Sequence, residues 1–273
     1  MYLAIDIGGT KTLLASLNDD GVIVERIRFE TAKKYSDFIK DLADNVAKMS
    51  TDNFVACGVG VPGRLDRKRG IGIAMGNLSW ANVPIHDDIS RLVPCPVTIE
   101  NDAKLAGLSE SMLLKGRYSR VLFVTISTGI GIGLIVDQAI DPGLADAEGG
   151  FLLVEKAGKV EHWEEIASGE AIVRRYGKKA RDITDKATWK LIAHDLGIGL
   201  SDLISVIQPE VVVLGGSVGK YFDQFKEPLE QILHKYELPI TKVPPIIAAS
   251  RPDDAVLYGC YDLVKNGHGK TNS

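Results

Sequence analysis

Leu3-Ala4-Ile5-Asp6-Ile7-Gly8-Gly9-Thr10-Lys11-Thr12-Leu13-Leu14-Ala15-Ser16-Leu17 is an apolar run, a tight polar turn and a second apolar run. The runs have the length and composition of strands, and the glycines supply the backbone freedom of a turn, so the segment reads as a β-hairpin. Successive backbone N–H groups in such a turn form a concavity that binds anions, and the hydroxyls of Thr10 and Thr12 add donors. Asp6 is the odd member, a carboxylate beside an anion site. A divalent cation between it and a phosphate would account for it, since Mg²⁺ takes one or two carboxylates together with phosphate oxygens and waters. The same residues also suit a plain hairpin with a surface aspartate.

Outward from the hairpin, strands are expected over 2–8, 11–18 and, after the Asp19-Asp20-Gly21 turn, 22–30. A helix over 35–49 follows, with Phe38, Ile39, Leu42, Val46 and Met49 at three- and four-residue spacing, and then a strand over 54–61. An irregular glycine-rich section reaches Trp80; a short helix from 86, the strand Val97-Thr98-Ile99 and a helix from Asp102 come next. The second half repeats the order: strands over 121–127, 132–136 and 139–140, helices over 168–176 and 187–207, the strand Val211-Val212-Val213-Leu214, a helix over 220–236, a strand over 245–249 and a helix over 254–265. Two successive β-β-β-α-β units imply a duplicated α/β fold, two similar lobes facing a central cleft. The division expected is 1–103 with the helix 254–266 as a small lobe, 104–253 as a large one, and 267–273 as a disordered tail.

The chain has 273 residues, 45% hydrophobic and 25% charged, enough for a sizeable core in one large or two modest domains. A net charge of −4 offers no basic face for nucleic acid, so a phosphate site must rely on backbone amides, a metal and a few local cations. Cys57, Cys95 and Cys260 are far apart and odd in number, as expected of a reducing cytoplasm. No basic leader precedes the first apolar run and no stretch is long enough to span a bilayer, so a cytoplasmic protein without a membrane partner is expected.

A second glycine-rich turn, Ser127-Thr128-Gly129-Ile130-Gly131, stands in the second half where Gly8-Gly9-Thr10 stands in the first. Two such turns suit one polyphosphate. The buried-strand pattern ending in Leu214-Gly215-Gly216 leads into a helix, and its glycines let a flat ring or a sugar approach the backbone. Gly58-Val59-Gly60-Val61-Pro62-Gly63 has the spacing of a dinucleotide fingerprint, but Arg64-Leu65-Asp66-Arg67-Lys68-Arg69-Gly70 has no helical periodicity, so that reading is rejected. In Glu100-Asn101-Asp102, Asn101 or Asp102 suits a helix cap. Asp102 at a strand end also suits a base that takes a proton from a substrate hydroxyl, with Asn101 bonding the neighbouring hydroxyl. A helix N-terminus opposes that role by favouring the ionised carboxylate. Glu148 and Glu164 are further candidates for polar substrate contacts.

Taken in order, these segments resemble the ROK family (repressors, open reading frames and sugar kinases) of the actin-like ATPase superfamily, over nearly the whole chain. Asp6-Ile7-Gly8-Gly9-Thr10-Lys11 resembles the first phosphate motif, Gly60-Val61-Pro62-Gly63 the Gly-x-Pro-Gly turn, and Asn77-Leu78-Ser79-Trp80 the Asn-Leu-x-Trp segment. Glu100-Asn101-Asp102-Ala103 is similar to the Glu-Asn-Asp-Ala signature, whose Asp is the catalytic base; Ser127 to Gly131 resembles the second phosphate motif and Leu214-Gly215-Gly216 the adenosine segment. The resemblance implies two ribonuclease-H-like lobes and an ATP-dependent kinase in which Asp102 deprotonates the 6-hydroxyl of a hexose, glucose first. Gly63, Asn77, Asn101, Glu148 and Glu164 would hold the sugar. Asp6, Gly8, Gly9, Thr10, Lys11, Thr128, Gly129, Gly215 and Gly216 would hold the nucleotide, with Mg²⁺ on Asp6 through water. A homodimer is implied on the same ground.

The departures are as informative. Family members usually carry Glu-x-Gly-His, the His touching the sugar and ligating a structural zinc with three cysteines of a Cys-x-Cys-x₄-Cys loop. Here Glu148-Gly149-Gly150 is followed by Phe151, and no cysteine lies between Phe151 and Glu164, so no structural zinc is expected. His162 is the nearest substitute, though a surface role beside Trp163 is the simpler reading. The altered second turn, with Ser127 and Ile132 at usual glycine positions, leaves polyphosphate as an alternative donor, and Phe151 leaves an N-acetylhexosamine as an alternative acceptor. A sugar-binding regulator without catalysis is the alternative of another class. The family's repressors carry an N-terminal helix-turn-helix, for which a first strand at residue 2 or 3 leaves no room, so DNA is not an expected partner.

Overall fold

The computed structural model describes residues 1–270, with side chains to residue 266. The chain forms two compact units, Met1–Ser109 together with the segment from Asp254 onward, and Glu110–Asp253.

In the first unit β1 (Tyr2–Ile7), β2 (Lys11–Leu17) and β3 (Ile23–Glu30) form an antiparallel meander. Helix α1 (Tyr35–Val46) crosses over to β4 (Ala56–Val61), which runs parallel to β1. The section expected to be irregular as far as Trp80 instead contributes β5 (Arg64–Asp66) and β6 (Ile71–Ala74) to a three-stranded antiparallel sheet completed by β7 (Ala81–Val83). Its strands are three or four residues long, too short for a period of two to register. Helix α2 (Ile85–Ser90), β8 (Val97–Asn101) and α3 (Asp102–Leu113) complete the unit, giving the strand order β3-β2-β1-β4-β8.

Alternation along β1 sends Leu3, Ile5 and Ile7 to one core, with Phe38 and Leu42 of α1, and Tyr2 and Ala4 to another, with Leu257, Cys260, Tyr261 and Val264 of the C-terminal helix (Ala255–Lys270). That second face is built of small residues because the helix lies directly on it. A Cβ on Gly58 would stand 2.5 Å from the Cys260 carbonyl oxygen, and one on Gly60 2.4 Å from Val256. The spacing that mimics a dinucleotide fingerprint is thus a packing requirement of β4. The helix runs on to Lys270, beyond the end expected near 265, and residues 271–273 of the expected tail lie outside the described residues.

The second unit repeats the plan. β9 (Arg120–Ile126), β10 (Ile130–Val136) and β11 (Ala139–Ile140) form a meander. A hairpin of β12 (Leu153–Lys156) and β13 (Lys159–His162), which the sequence reading lacks, precedes α4 (Trp163–Ala167), α5 (Gly169–Tyr176) and α6 (Lys186–Ile207). Then follow β14 (Val211–Gly215), α7 (Gly216–Gly219), α8 (Phe222–Lys235) and β15 (Ile246–Ala248). The order β11-β10-β9-β14-β15, with the same strand directions as the first sheet, makes the duplication explicit. Its core holds Trp163, Trp189, Leu196, Leu200 and Phe225 against Leu122, Val124 and Ile126. The first boundary falls inside α3, later than the expected 103: Leu105 packs in the first unit, whereas Glu110 accepts the backbone N–H groups of Ser250 and Arg251 at 2.8 and 2.7 Å.

Candidate active site

Residues 8–10 form the turn between β1 and β2. Gly8 N–H donates to the Lys11 carbonyl at 2.9 Å, and a Cβ there would stand 2.8 Å from the same oxygen, so only glycine fits. The Thr31 hydroxyl donates to Gly8 O at 2.8 Å and Thr31 N–H to Thr10 O at 3.1 Å. With these carbonyls occupied and Gly9, Thr10 and Lys11 exposed, the outer side of the turn presents amides, a hydroxyl and an ammonium, the chemistry of an anion site. Thr12 is not part of it. Strand alternation buries its hydroxyl, which pairs with that of Thr31 at 2.9 Å. Thr31, which sequence reasoning missed, is the brace of the turn.

Parallel pairing aligns Asp6 of β1 with Gly60 of β4, and Gly60 with Glu100 of β8, so the carboxyl ends of three strands gather Asp6, Val61, Asn101 and the start of α3. This is where open α/β sheets bind ligands. Asp6 keeps slight solvent contact as a residue, but its carboxyl is enclosed by protein. Burial and then the charge of Asp102 push its pKa up to about 7, against the opposing pull of Lys11. Asp102 is the first residue of α3, and its Oδ1 accepts the Ala103 N–H at 2.8 Å.

Asn101 is buried and combines two structural roles. Its Oδ1 caps α3, accepting from Ala103 and Lys104 N–H at 3.0 and 3.3 Å, and its amide donates to Gly63 O at 3.0 Å. Gly63 itself has φ +80, and a Cβ would stand 2.1 Å from the Ala74 carbonyl oxygen. The pair therefore fixes the β4–β5 corner, and one amide hydrogen of Asn101 remains for a ligand. Glu100 takes a two-pronged grip from Arg67, Nε to Oε2 at 2.8 Å and NH2 to Oε1 at 2.6 Å, and accepts the Asn101 N–H at 2.6 Å. Arg67, in a stretch without helical periodicity, is the strut that ties the end of β5 to β8. Arg67→Met leaves the buried Glu100 carboxylate without its guanidinium and is expected to cost about 2 kcal/mol in urea unfolding, below a fully buried pair because the arginine is partly solvated. Asn77 is exposed and its Cβ lies 3.5 Å from where a Cβ of Gly9 would be, beside the phosphate turn. Trp80 anchors that segment through Nε1 to Lys33 O at 2.9 Å.

In the second unit, Ser127 N–H donates to Gly129 O at 2.9 Å to close the β9–β10 turn, leaving Thr128 exposed. The Ser127 hydroxyl accepts from Ser217 N–H at 3.1 Å, tying this turn to the start of α7. Glu164 is as much a support as a candidate contact. Its Oε2 accepts Ile130 N–H at 3.1 Å and would stand 2.6 Å from a Cβ on Gly129 and 3.0 Å from one on Gly150. Glu148 is exposed just before the turn of residues 149–151. Gly216 has φ +81, and a Cβ on it would meet the Ile126 carbonyl at 2.5 Å. Beside it, a pocket of about 310 Å³ is lined by Leu214, Gly215, Gly219, Ala248, Ala249, Pro252 and Lys220. Its small side chains suit a flat ring.

A family profile described as "ROK family" matches residues 2–267. The chain belongs to the ROK family. A Bacillus subtilis (strain 168) protein provisionally named a fructokinase is 30% identical over 235 residues, 80% of this chain and 77% of the relative. A glucokinase of Streptomyces coelicolor is 25% identical over 312 residues, 97% of this chain and 98% of that one. A ROK family glucokinase from Streptomyces griseus, solved with glucose and AMPPNP, superimposes with a TM-score of 0.82 at 24% identity, covering 97% of this chain and 99% of that one, and so shares the fold.

Among the described residues of this ROK protein no cluster of three or more His, Cys, Asp or Glu side chains is arranged to hold a metal by itself. A magnesium nucleotide nonetheless fits the first unit. Asp6 places an enclosed oxygen donor near a second carboxylate and beside the amides of an exposed turn, and Mg²⁺ completes its shell from phosphates and water. Among the described residues no helix is long and apolar enough to cross a membrane.

Proposed function

We propose that this ROK protein is a kinase that transfers the γ-phosphate of ATP to the 6-hydroxyl of a hexose, with glucose the first substrate. The observation that carries the reading is the meeting of Asp6, Asn101, Asp102 and the Gly8–Lys11 turn at one end of the first sheet. Asp102 accepts the proton of the 6-hydroxyl as that oxygen bonds to the γ-phosphorus and the bond to ADP breaks. Gly9, Thr10 and Lys11 offer donors to the transferred group, while Asn77 and Asn101 orient the sugar. Mg²⁺ on Asp6, when bound with the nucleotide, supplies charge neutralisation at the phosphate oxygens. In the same reading Glu148 and Glu164 take further sugar hydroxyls, and Thr128, Gly129, Gly215 and Gly216 take the nucleotide.

The test is a coupled ADP-release assay over glucose, mannose, fructose and the N-acetylhexosamines, repeated with polyphosphate in place of ATP. Turnover with ATP and glucose is the expected result. Absence of turnover with every sugar and both donors overturns the reading, and sugar binding in calorimetry without turnover would identify a regulator.

A further inference from the structure

We infer that Asp195 is a positioning residue of the sugar site: from the middle of α6 it holds Trp163 and Arg175, and through them the short helix α4, so that Glu164 is presented in one orientation. The inference rests on the sugar-kinase reading, in which Glu164 takes a sugar hydroxyl, and names a residue outside the site on which that contact depends.

Helix α4 has five residues, too few to hold a direction alone, so its orientation is set by what grips it. Its first residue, Trp163, is fully buried, with the indole laid over α6 where a Cβ on Gly199 would stand 2.2 Å from the ring. The indole N–H donates to the Asp195 carbonyl oxygen at 3.0 Å. The carbonyls near the other end of α4 are taken from α5: Arg174 donates to Glu165 O, and Arg175 NH1 to Ile166 O at 2.9 Å. The same NH1 donates to the Asp195 carboxylate, which is 2% exposed and also receives Lys156 from the end of β12. His194 Nδ1, at 3.7 Å, is beyond hydrogen-bond distance. Asp195 thus grips α4 near both ends, by its main chain at Trp163 and by its side chain through Arg175.

The direction of α4 matters because of what the helix seats. Glu164 Oε2 accepts Ile130 N–H at 3.1 Å, and the carboxylate keeps further lone pairs for a sugar hydroxyl. The α4–α5 corner bonds the other end of the same glycine-rich turn, Gly169 N–H to Ser127 O at 2.6 Å, and a Cβ on Gly169 would stand 2.5 Å from that oxygen. A tilt of α4 therefore moves the Glu164 carboxylate against a turn that is held on both sides. Stability alone is a poor reason for a buried ionic cluster, since apolar side chains of similar volume in its place are often neutral or stabilising. They would leave nothing to join Arg175 to α6. Lys156 pairs with the same carboxylate from the hairpin rather than from α4 or α5, so it separates loss of an ion pair from loss of the grip on α4.

The experiment measures kcat, KM and calorimetric Kd for the tightest-bound of glucose, mannose, fructose and the N-acetylhexosamines, with urea unfolding of every protein. The variants are Asp195→Asn, Arg175→Met, Arg175→Lys, Lys156→Met, Glu164→Gln, and each Arg175 variant combined with Glu164→Gln. Asp195→Asn and both Arg175 variants are expected to raise sugar KM and Kd by about 10-fold or more with kcat within about 3-fold, the mark of a lost ground-state contact. Lys156→Met is expected to change them by less than about 3-fold at a comparable loss of stability. On the Glu164→Gln background the Arg175 variants are expected to add less than about 2-fold, because the contact they disturb is already gone. Arg175→Lys keeps a cation beside Asp195 and carries the comparison where the methionine variant does not fold. Unchanged sugar binding in Asp195→Asn and the Arg175 variants, an equal rise in Lys156→Met, or the full Arg175 effect on the Glu164→Gln background overturns this inference and leaves the kinase reading intact. Sugar binding without turnover in the wild type overturns the kinase reading, while the Kd series still decides for or against Asp195. Binding of no sugar overturns both.

Discussion

Asp102→Asn is expected to lower kcat for hexose phosphorylation by about 10²–10⁴-fold, the usual contribution of a positioned general base, with KM little changed. The substitution is conservative in structure. The Oδ1 of Asp102 accepts the Ala103 N–H, an amide oxygen can do the same, and Asn101 accepts that N–H as well, so the first turn of α3 keeps its cap. A thermal melt within a few degrees of the wild type is therefore part of the expectation. Asn101→Ala supplies the contrast. It removes the cap and the bond to Gly63 O together, and should cost about 2 kcal/mol in chemical unfolding. Wild-type turnover in Asp102→Asn would give the base to another residue and return Asp102 to the helix cap that Glu100-Asn101-Asp102 also suits.

How far this could be read from sequence differs by element, for physical reasons. The central strands of both main sheets, β1, β4, β9 and β14, announce themselves because they are buried on both faces and run as largely apolar segments, as in Val211–Leu214, and the order of elements is enough to reveal the duplication. The β5–β7 sheet and the β12–β13 hairpin do not, since three- and four-residue strands with charged residues give no period. Only Gly158, at φ +78 after Ala157 at +53, signals the hairpin turn. At the site, residues whose chemistry is unusual for their place, such as Asp6 after an apolar strand, stand out. Residues that act through tertiary contacts do not. Thr31, Arg67 and Ser127 have roles defined by partners 23, 33 and 90 positions away, and Glu164 is drawn toward the Ile130 amide by a fold that no local pattern encodes. Glycine carries the same ambiguity in reverse. Gly8 and Gly63 are required by the site's own corners, whereas Gly58 and Gly60 answer to the C-terminal helix.

Asp6→Asn is expected to move activity and stability in opposite directions. Turnover should fall by about 10²-fold or more, because the carboxylate that would hold the magnesium nucleotide becomes a neutral amide. In the absence of metal and nucleotide, the same variant should be more stable than the wild type above pH 7. The sign follows from protonation. Asp6 has a pKa near 7 in the folded protein and about 3.8 when unfolded, so between these values the folded state holds a proton that the unfolded state releases. Stability of the wild type then falls as pH rises through this window and levels off above it. Asparagine does not titrate, so the advantage of the variant is close to nil at pH 4, grows to pH 7 and is flat beyond. Full burial would set the plateau at about 4 kcal/mol, and the slight exposure of the residue brings it nearer about 2 kcal/mol. Urea unfolding at pH 5 and pH 8 in the presence of a chelator measures the difference. Adding Mg²⁺ and a non-hydrolysable ATP analogue should then reverse the order at pH 8, since ligand binding stabilises the wild type and has little to act on in the variant. Equal destabilisation of Asp6→Asn at both pH values would mean that the carboxylate is a structural hydrogen-bonding group, and would remove the reason for placing a cation beside it.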